Sequence, residues 1–165
     1  MINNKCKLLT DALCYEQGHS RRTQHILKVY ALTKLISESE FFSFEQEQIV
    51  RAAAILHDIA IKYCKDNLNG DASQENQRKY AKKLVHEFLT KSNYLPSYIP
   101  KITYLVENHH NYNNIDSKLL QVLIEADLII NCYEGEKVDN IEKIFKTKVG
   151  KKLFDAYLKG AQNEQ

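Results

Sequence analysis

Apolar residues recur three and four positions apart along most of the chain, which predicts a succession of amphipathic helices. Leu8, Leu9, Ala12 and Leu13 mark a first helix from about Asn4 to Glu16, and Gly18 breaks the pattern. A second runs from about Ser20 to Ser37, with Val29, Leu32 and Ile36 continuing a stripe that His25 opens. Ser43-Phe44-Glu45-Gln46 reads as a capping box for a third helix, whose apolar run reaches Tyr63. After a polar loop over Lys65 to Asp71, Ser73 caps a fourth helix with the stripe Ala81, Leu84, Val85 and Phe88. Pro96 and Pro100 bracket the start of a fifth, whose Ile102, Leu105 and Val106 lead to His109. Asp116 is expected to cap a sixth, apolar almost throughout and closed by Gly135. Two further amphipathic segments, near Asp139 to Phe145 and Gly150 to Leu158, would pack outside. The expected class is all-α, a compact bundle of about six to eight helices with no sheet.

Certain polar residues interrupt this pattern where water is excluded. His57 and Asp58 lie side by side in Ala52-Ala53-Ala54-Ile55-Leu56-His57-Asp58-Ile59-Ala60-Ile61-Lys62-Tyr63, and a carboxylate buried there is costly unless paired, hydrogen-bonded or bound to metal. Asp127 shares a face with Leu120, Leu123 and Ile130, which makes it a second buried carboxylate. With His25, these give four polar residues on core-facing stripes of three helices, in the order H, HD, D. One divalent cation would satisfy all four, since neutral imidazole and carboxylate are standard ligands. His86, grouped with Lys79, Lys82 and Lys83, reads instead as solvated.

Composition narrows the picture. At 165 residues the chain is the size of one domain, so residues 1–165 are read as a single domain. Five Gly and two Pro agree with helices joined by few tight turns. The four cysteines, Cys6, Cys14, Cys64 and Cys132, show no C-x-x-C spacing and read as small hydrophobes. No apolar run approaches the roughly 18 residues of a membrane span, and charges interrupt the N-terminus, so the cytoplasm is expected. A formal charge of +2 neither demands nor excludes an anionic partner. The lysines at 143, 146, 148, 151 and 152 suggest nucleic acid, but a charge run is usually a solvated face, and that reading ranks last.

The H, HD, D order resembles the HD superfamily of metal-dependent phosphohydrolases, and the resemblance covers nearly the whole chain. It is closest to small prokaryotic HD-domain proteins through Arg22 and His25, Ala53 to Lys62, His109-His110-Asn111-Tyr112, Glu125-Ala126-Asp127 with Asn131, and Phe145-Lys146-Thr147-Lys148-Val149-Gly150. The resemblance implies that His25, His57, Asp58 and Asp127 hold a divalent ion. In dinuclear relatives, further histidines between HD and the last Asp bind a second ion. His109 and His110 are the candidates, helical phase favouring His109 and the resemblance leaving His110 open, against a core histidine hydrogen-bonded at a helix end. Where those relatives carry a histidine at the start of the next helix, this chain reads Ser73-Gln74-Glu75-Asn76-Gln77. One firmly held ion is therefore the primary expectation, with a second, weaker one as the alternative.

Two imidazoles and two carboxylates suit Mn, Fe, Co or Ni better than Mg. Such an ion lowers the pKa of its water towards about 7 and polarises a phosphoryl oxygen, both of which favour hydrolysis. Asp58 is expected to bind the ion and orient or deprotonate the water. Lys62, one turn beyond Asp58, is the candidate catalytic cation, and Arg21 and Arg22 approach the phosphate from the His25 helix. Tyr112 or Asn111 is a candidate to touch substrate from the loop after the histidines. The expected function is hydrolysis of a phosphate ester or anhydride in a nucleotide or other small phosphorylated compound. The alternative is a non-catalytic, metal-stapled domain that binds a nucleotide or regulates.

Overall fold

The computed structural model describes residues 4–159, so the expected single domain over 1–165 extends at both ends beyond the described residues. Its helices are α1 Lys5–Tyr15, α2 Ser20–Ser39, α3 Phe44–Leu56, α4 Ala60–Asn67, α5 Gln74–Lys91, α6 Ile99–Asn108, α7 Lys118–Tyr133 and α8 Lys148–Phe154. No strand occurs among the described residues, and none of the helices is long and apolar enough to cross a membrane.

The core forms around α3, which packs against α2, α6 and α7. Ile49, Val50, Ala52, Ala53, Ala54, Ile55 and Leu56 on α3 are all buried, and the three alanines let neighbouring backbones come close. α7 is submerged along Val122 to Ile130. Each Leu or Ile buried there contributes about 1.5–3 kcal/mol, enough together to offset the cost of carrying Glu125 and Asp127 into the core. The capping box at α3 forms in full: Ser43 Oγ accepts from Gln46 N at 3.2 Å and Gln46 Oε1 from Ser43 N at 2.9 Å.

The sequence pattern runs the third helix unbroken through His57 and Asp58 to Tyr63; in the structure it breaks there. His57 Nδ1 donates to Ala54 O at 2.7 Å, occupying a carbonyl that a continuing helix would leave for Asp58 N. The next bonds are tighter, Ile59 N to Leu56 O at 3.0 Å and Ile61 N to Asp58 O at 3.1 Å, before α4 resumes. α4 then extends through Lys65 to Asn67, residues whose polarity suggests a loop.

Two further boundaries move. Ser117, not Asp116, caps α7, its Oγ accepting from Leu120 N at 3.2 Å, while Asp116 accepts from the Tyr104 hydroxyl. Of the two outer segments, Ile141–Lys143 forms a single 3-10 turn, and α8 begins at Lys148 under a Thr147 cap.

Candidate metal centre

His25 projects from the first turns of α2, His57 and Asp58 from the break between α3 and α4, and Asp127 from the middle of α7. One ligand atom from each lies within 4.8 Å of all the others. His25 Nε2 is 3.1 Å from both His57 Nε2 and Asp127 Oδ1, and 3.5 Å from Asp58 Oδ2. His57 Nε2 is 3.2 Å from Asp58 Oδ2 and 3.3 Å from Asp127 Oδ1. Donors that each lie ~2.1 Å from a shared ion stand about 3 Å from one another, so the spacing fits a single small cation.

The outer partners of the histidines settle which nitrogen faces inward. His57 Nδ1 is engaged by Ala54 O, His109 Nδ1 donates to Val106 O at 2.6 Å, and His25 Nδ1 lies 3.2 Å from Glu134 Oε2. All three imidazoles therefore spend Nδ1 on an acceptor outside the cluster and turn Nε2 into it, the arrangement that fixes a metal-ligating tautomer. His57 and His109 both follow the last residue of a helix and both bond to the carbonyl three residues back.

Two atoms show what the cluster lacks. Asp127 Oδ2 and His109 Nε2 are buried without a hydrogen-bond partner. His109 Nε2 lies 3.3 Å from Asp58 Oδ1, the Asp58 oxygen that does not face His25 and His57. Burying Asp127 Oδ2 unpaired costs about 1–3 kcal/mol, so the donor set fits a divalent cation better than the protein alone.

Electrostatics agree. Burial opposes charge on His57, but Asp58 and Asp127 outweigh it and hold the imidazole well above its ordinary range. Burial alone would raise both carboxyls; His57 and His109 pull Asp58 well below the carboxylate range, and His57 and His25 pull Asp127 below it. His110 packs at a tilt against His109 with ring centroids 3.9 Å apart, and burial with the neighbouring His109 lowers its pKa to about 4. It is a neutral imidazole at pH 7. Asp58, His109 and His110 form a second group able to hold an ion.

A cavity of about 510 Å³ opens beside these donors, reaching His25 and Asp58. Arg21 and Arg22 line it, Arg22 with its Nε on Glu16 at 2.6 Å. Lys62 is placed elsewhere: its ammonium pairs with Asp66 at 2.6 Å and lies 5.6 Å from the Tyr15 ring centroid. The tight turns at 57–59 are the reason. They advance the helical phase beyond the ordinary 100° per residue, which brings Ile61 into the cavity and turns Lys62 aside, while Lys65, seven residues beyond Asp58, shares its face in any case. Tyr112 and Asn111 are half-buried beyond the histidines, where the Tyr112 hydroxyl is 3.4 Å from His110 Nδ1, and Glu75 is exposed in the first turn of α5.

Three carboxylates carry more of the site than the sequence pattern assigns them. Glu134 stands seven residues beyond Asp127, and that helical spacing was a usable signal. Glu16 is 1% exposed and reaches Arg22 across the Gly18 turn, which no periodicity marks. Glu125, fully buried, accepts from Gln121 Nε2, Lys146 N, Thr147 N and Thr147 Oγ1, tying α7 to the start of α8.

A model of the HD domain family matches residues 22–144. In three dimensions the chain is similar to the crystal structure of a predicted HD superfamily hydrolase from an uncultured Thermotogales bacterium. The TM-score is 0.71, over 96% of this chain and 87% of that one, at 15% sequence identity, a likeness of fold. No curated protein matches the sequence. The family match spans the helices that carry His25, His57, Asp58 and Asp127 and covers well over half of the residues, and the chain therefore belongs to the HD superfamily of metal-dependent phosphohydrolases.

Proposed function

We propose that the protein hydrolyses a phosphate ester or anhydride bond of a nucleotide or other small phosphorylated compound in a metal-dependent reaction. One observation carries this reading: four donor atoms from α2, the α3–α4 break and α7 converge within 4.8 Å, beside a cavity lined by arginine. A divalent ion held by His25, His57, Asp58 and Asp127 supplies Lewis acidity towards a phosphoryl oxygen and acidifies nearby water. The mixed donor set favours Mn, Fe, Co or Ni over Mg.

The chain's own residues divide the remaining work. Asp58 has the most exposed side chain of the four, at 21%, and faces the cavity, so it orients an incoming water. Its depressed pKa suits accepting a hydrogen bond better than keeping a proton. Arg22 lies three residues before His25 on the same face of α2; Glu16 holds its Nε and leaves the terminal nitrogens for phosphoryl oxygens. His109 and His110, across Asp58 from the first donor set, support a second, more weakly held ion.

The test is metal analysis of the purified protein together with turnover of a panel of phosphorylated compounds with manganese. At least one divalent ion per chain is expected. Asp58→Ala should lower kcat by roughly 10³-fold, about 4 kcal/mol of transition-state stabilisation, while keeping its helical content. Full activity in that variant, or a protein that takes up no divalent ion, rejects the reading.

A further inference from the structure

Positive charge in the 510 Å³ cavity is unevenly matched. Arg22 is engaged by buried Glu16, and Lys62 by Asp66 away from the cavity lining. Arg21, from the first turn of α2, and Lys65, from α4, line the same cavity with no side-chain hydrogen-bond or ion-pair partner among the described residues. Lys65 stands seven residues beyond Asp58, on α4 and past the break that holds the donors, so it lines the cavity away from the donor cluster. The first turn of α2 contains no acidic residue and no side-chain cap, so its backbone amides add to the positive potential on that wall. The cavity volume is in the range of sites that hold small ligands.

We propose that Arg21 and Lys65 form a subsite for a second anionic group on the substrate, a phosphate or a carboxylate. The preferred substrates are then small compounds anionic at both ends, with one phosphate at the metal donors and the other group at the rim of the cavity. This rests on the phosphohydrolase reading for the role of the first phosphate. The rim itself is charge recognition: two exposed cations facing one anionic group favour the doubly charged ligand, and salt weakens that preference.

The manganese-loaded protein is tested with two matched pairs, ribulose 1,5-bisphosphate against ribulose 5-phosphate and 3-phosphoglycerate against glycerol 3-phosphate. Affinity is read as KM where a compound turns over and as a calorimetric Kd where it does not. The doubly anionic member of at least one pair should bind about tenfold more tightly, and the pair that shows it tells phosphate from carboxylate. In the Arg21→Gln/Lys65→Gln double variant that ratio should fall towards one, whereas Lys82→Gln, on the exposed face of α5, should preserve it. A ratio near one in both wild-type pairs, a ratio unchanged in the double variant, or no measurable binding of any of the four compounds overturns the proposal. If nothing in the wider panel of phosphorylated compounds turns over but the calorimetric ratio behaves as expected, the hydrolase reading fails and the subsite stands.

Discussion

A histidine that faces a metal through one nitrogen depends on what holds the other. His25 is the least braced of the three inward-facing imidazoles, because its Nδ1 rests on a side chain, Glu134 at 3.2 Å, whereas His57 and His109 rest on backbone carbonyls. The carbonyls come with the fold; Glu134 can be removed. Glu134→Ala should lower divalent-metal affinity by about 10- to 100-fold, the usual consequence of losing such an outer partner. Glu134→Gln, which can still accept through its amide oxygen, should lose less. Competition with a chelator measures both, with helical content as the control, and an unchanged affinity in Glu134→Ala would show that His25 needs no orienting group. Because Glu134 sits outside the cluster, this loss of affinity reports on imidazole geometry and leaves the donor count at four.

At the scale of an element, α7 does two jobs with two acidic residues two positions apart. Asp127 turns to the donors, while Glu125 gathers the N-terminal end of α8 through Lys146 N at 2.5 Å and Thr147 N at 3.0 Å. Gly150 belongs to the same clamp: a Cβ there would overlap Glu125 Oε2 and crowd Thr147 Oγ1. In a helix, Gly→Ala ordinarily stabilises by about 1 kcal/mol. Here the overlap meets a carboxyl group pinned by four hydrogen bonds, so Gly150→Ala should instead destabilise by roughly 2 kcal/mol, lowering Tm by about 4–8 °C. In a Glu125→Ala background the same substitution should cost less, and equal costs in both backgrounds would dissociate Gly150 from the clamp. The helices themselves were legible because apolar spacing reports burial directly, and so were His25, His57, Asp58 and Asp127, since a polar residue on a submerged stripe demands a partner. The direction of Lys62 was not legible in the same way. A bond from the His57 side chain to Ala54 O changes the local pitch and turns Lys62 aside, whereas Lys65, seven residues beyond Asp58, keeps to the same face on an ordinary helical count. The pairing of Glu16 with Arg22 escaped for another reason, because it crosses a turn and leaves no repeat in the sequence.

Across the whole molecule, the donors join α2, the α3–α4 break and α7, so protons and a divalent ion held there would compete for a junction that helps hold the bundle together. Without metal, His57 is raised above its reference value of 6.5, so its contribution to stability is complete below that pH and is lost as pH rises through the higher folded value. Asp58 and Asp127 are lowered beneath their reference value of 3.8, so their contribution is complete above it and is lost as pH falls. The metal-free site therefore stabilises the fold most between about pH 4 and 6.5, and weakens into the alkaline range. A loaded site would behave oppositely: an ion held by His57 would displace its proton, so loading at neutral pH should release protons and binding should tighten as pH rises. Metal at 1,000 times its Kd adds about 4 kcal/mol, or roughly 8–16 °C in Tm for a chain of this length. The gap between manganese-loaded and chelator-treated Tm should widen steadily from pH 5 to pH 8, partly because the loaded protein gains and partly because the metal-free one declines. A gap that is constant across that range, or that narrows, would mean that no proton shared by His57, Asp58 and Asp127 is exchanged for the ion.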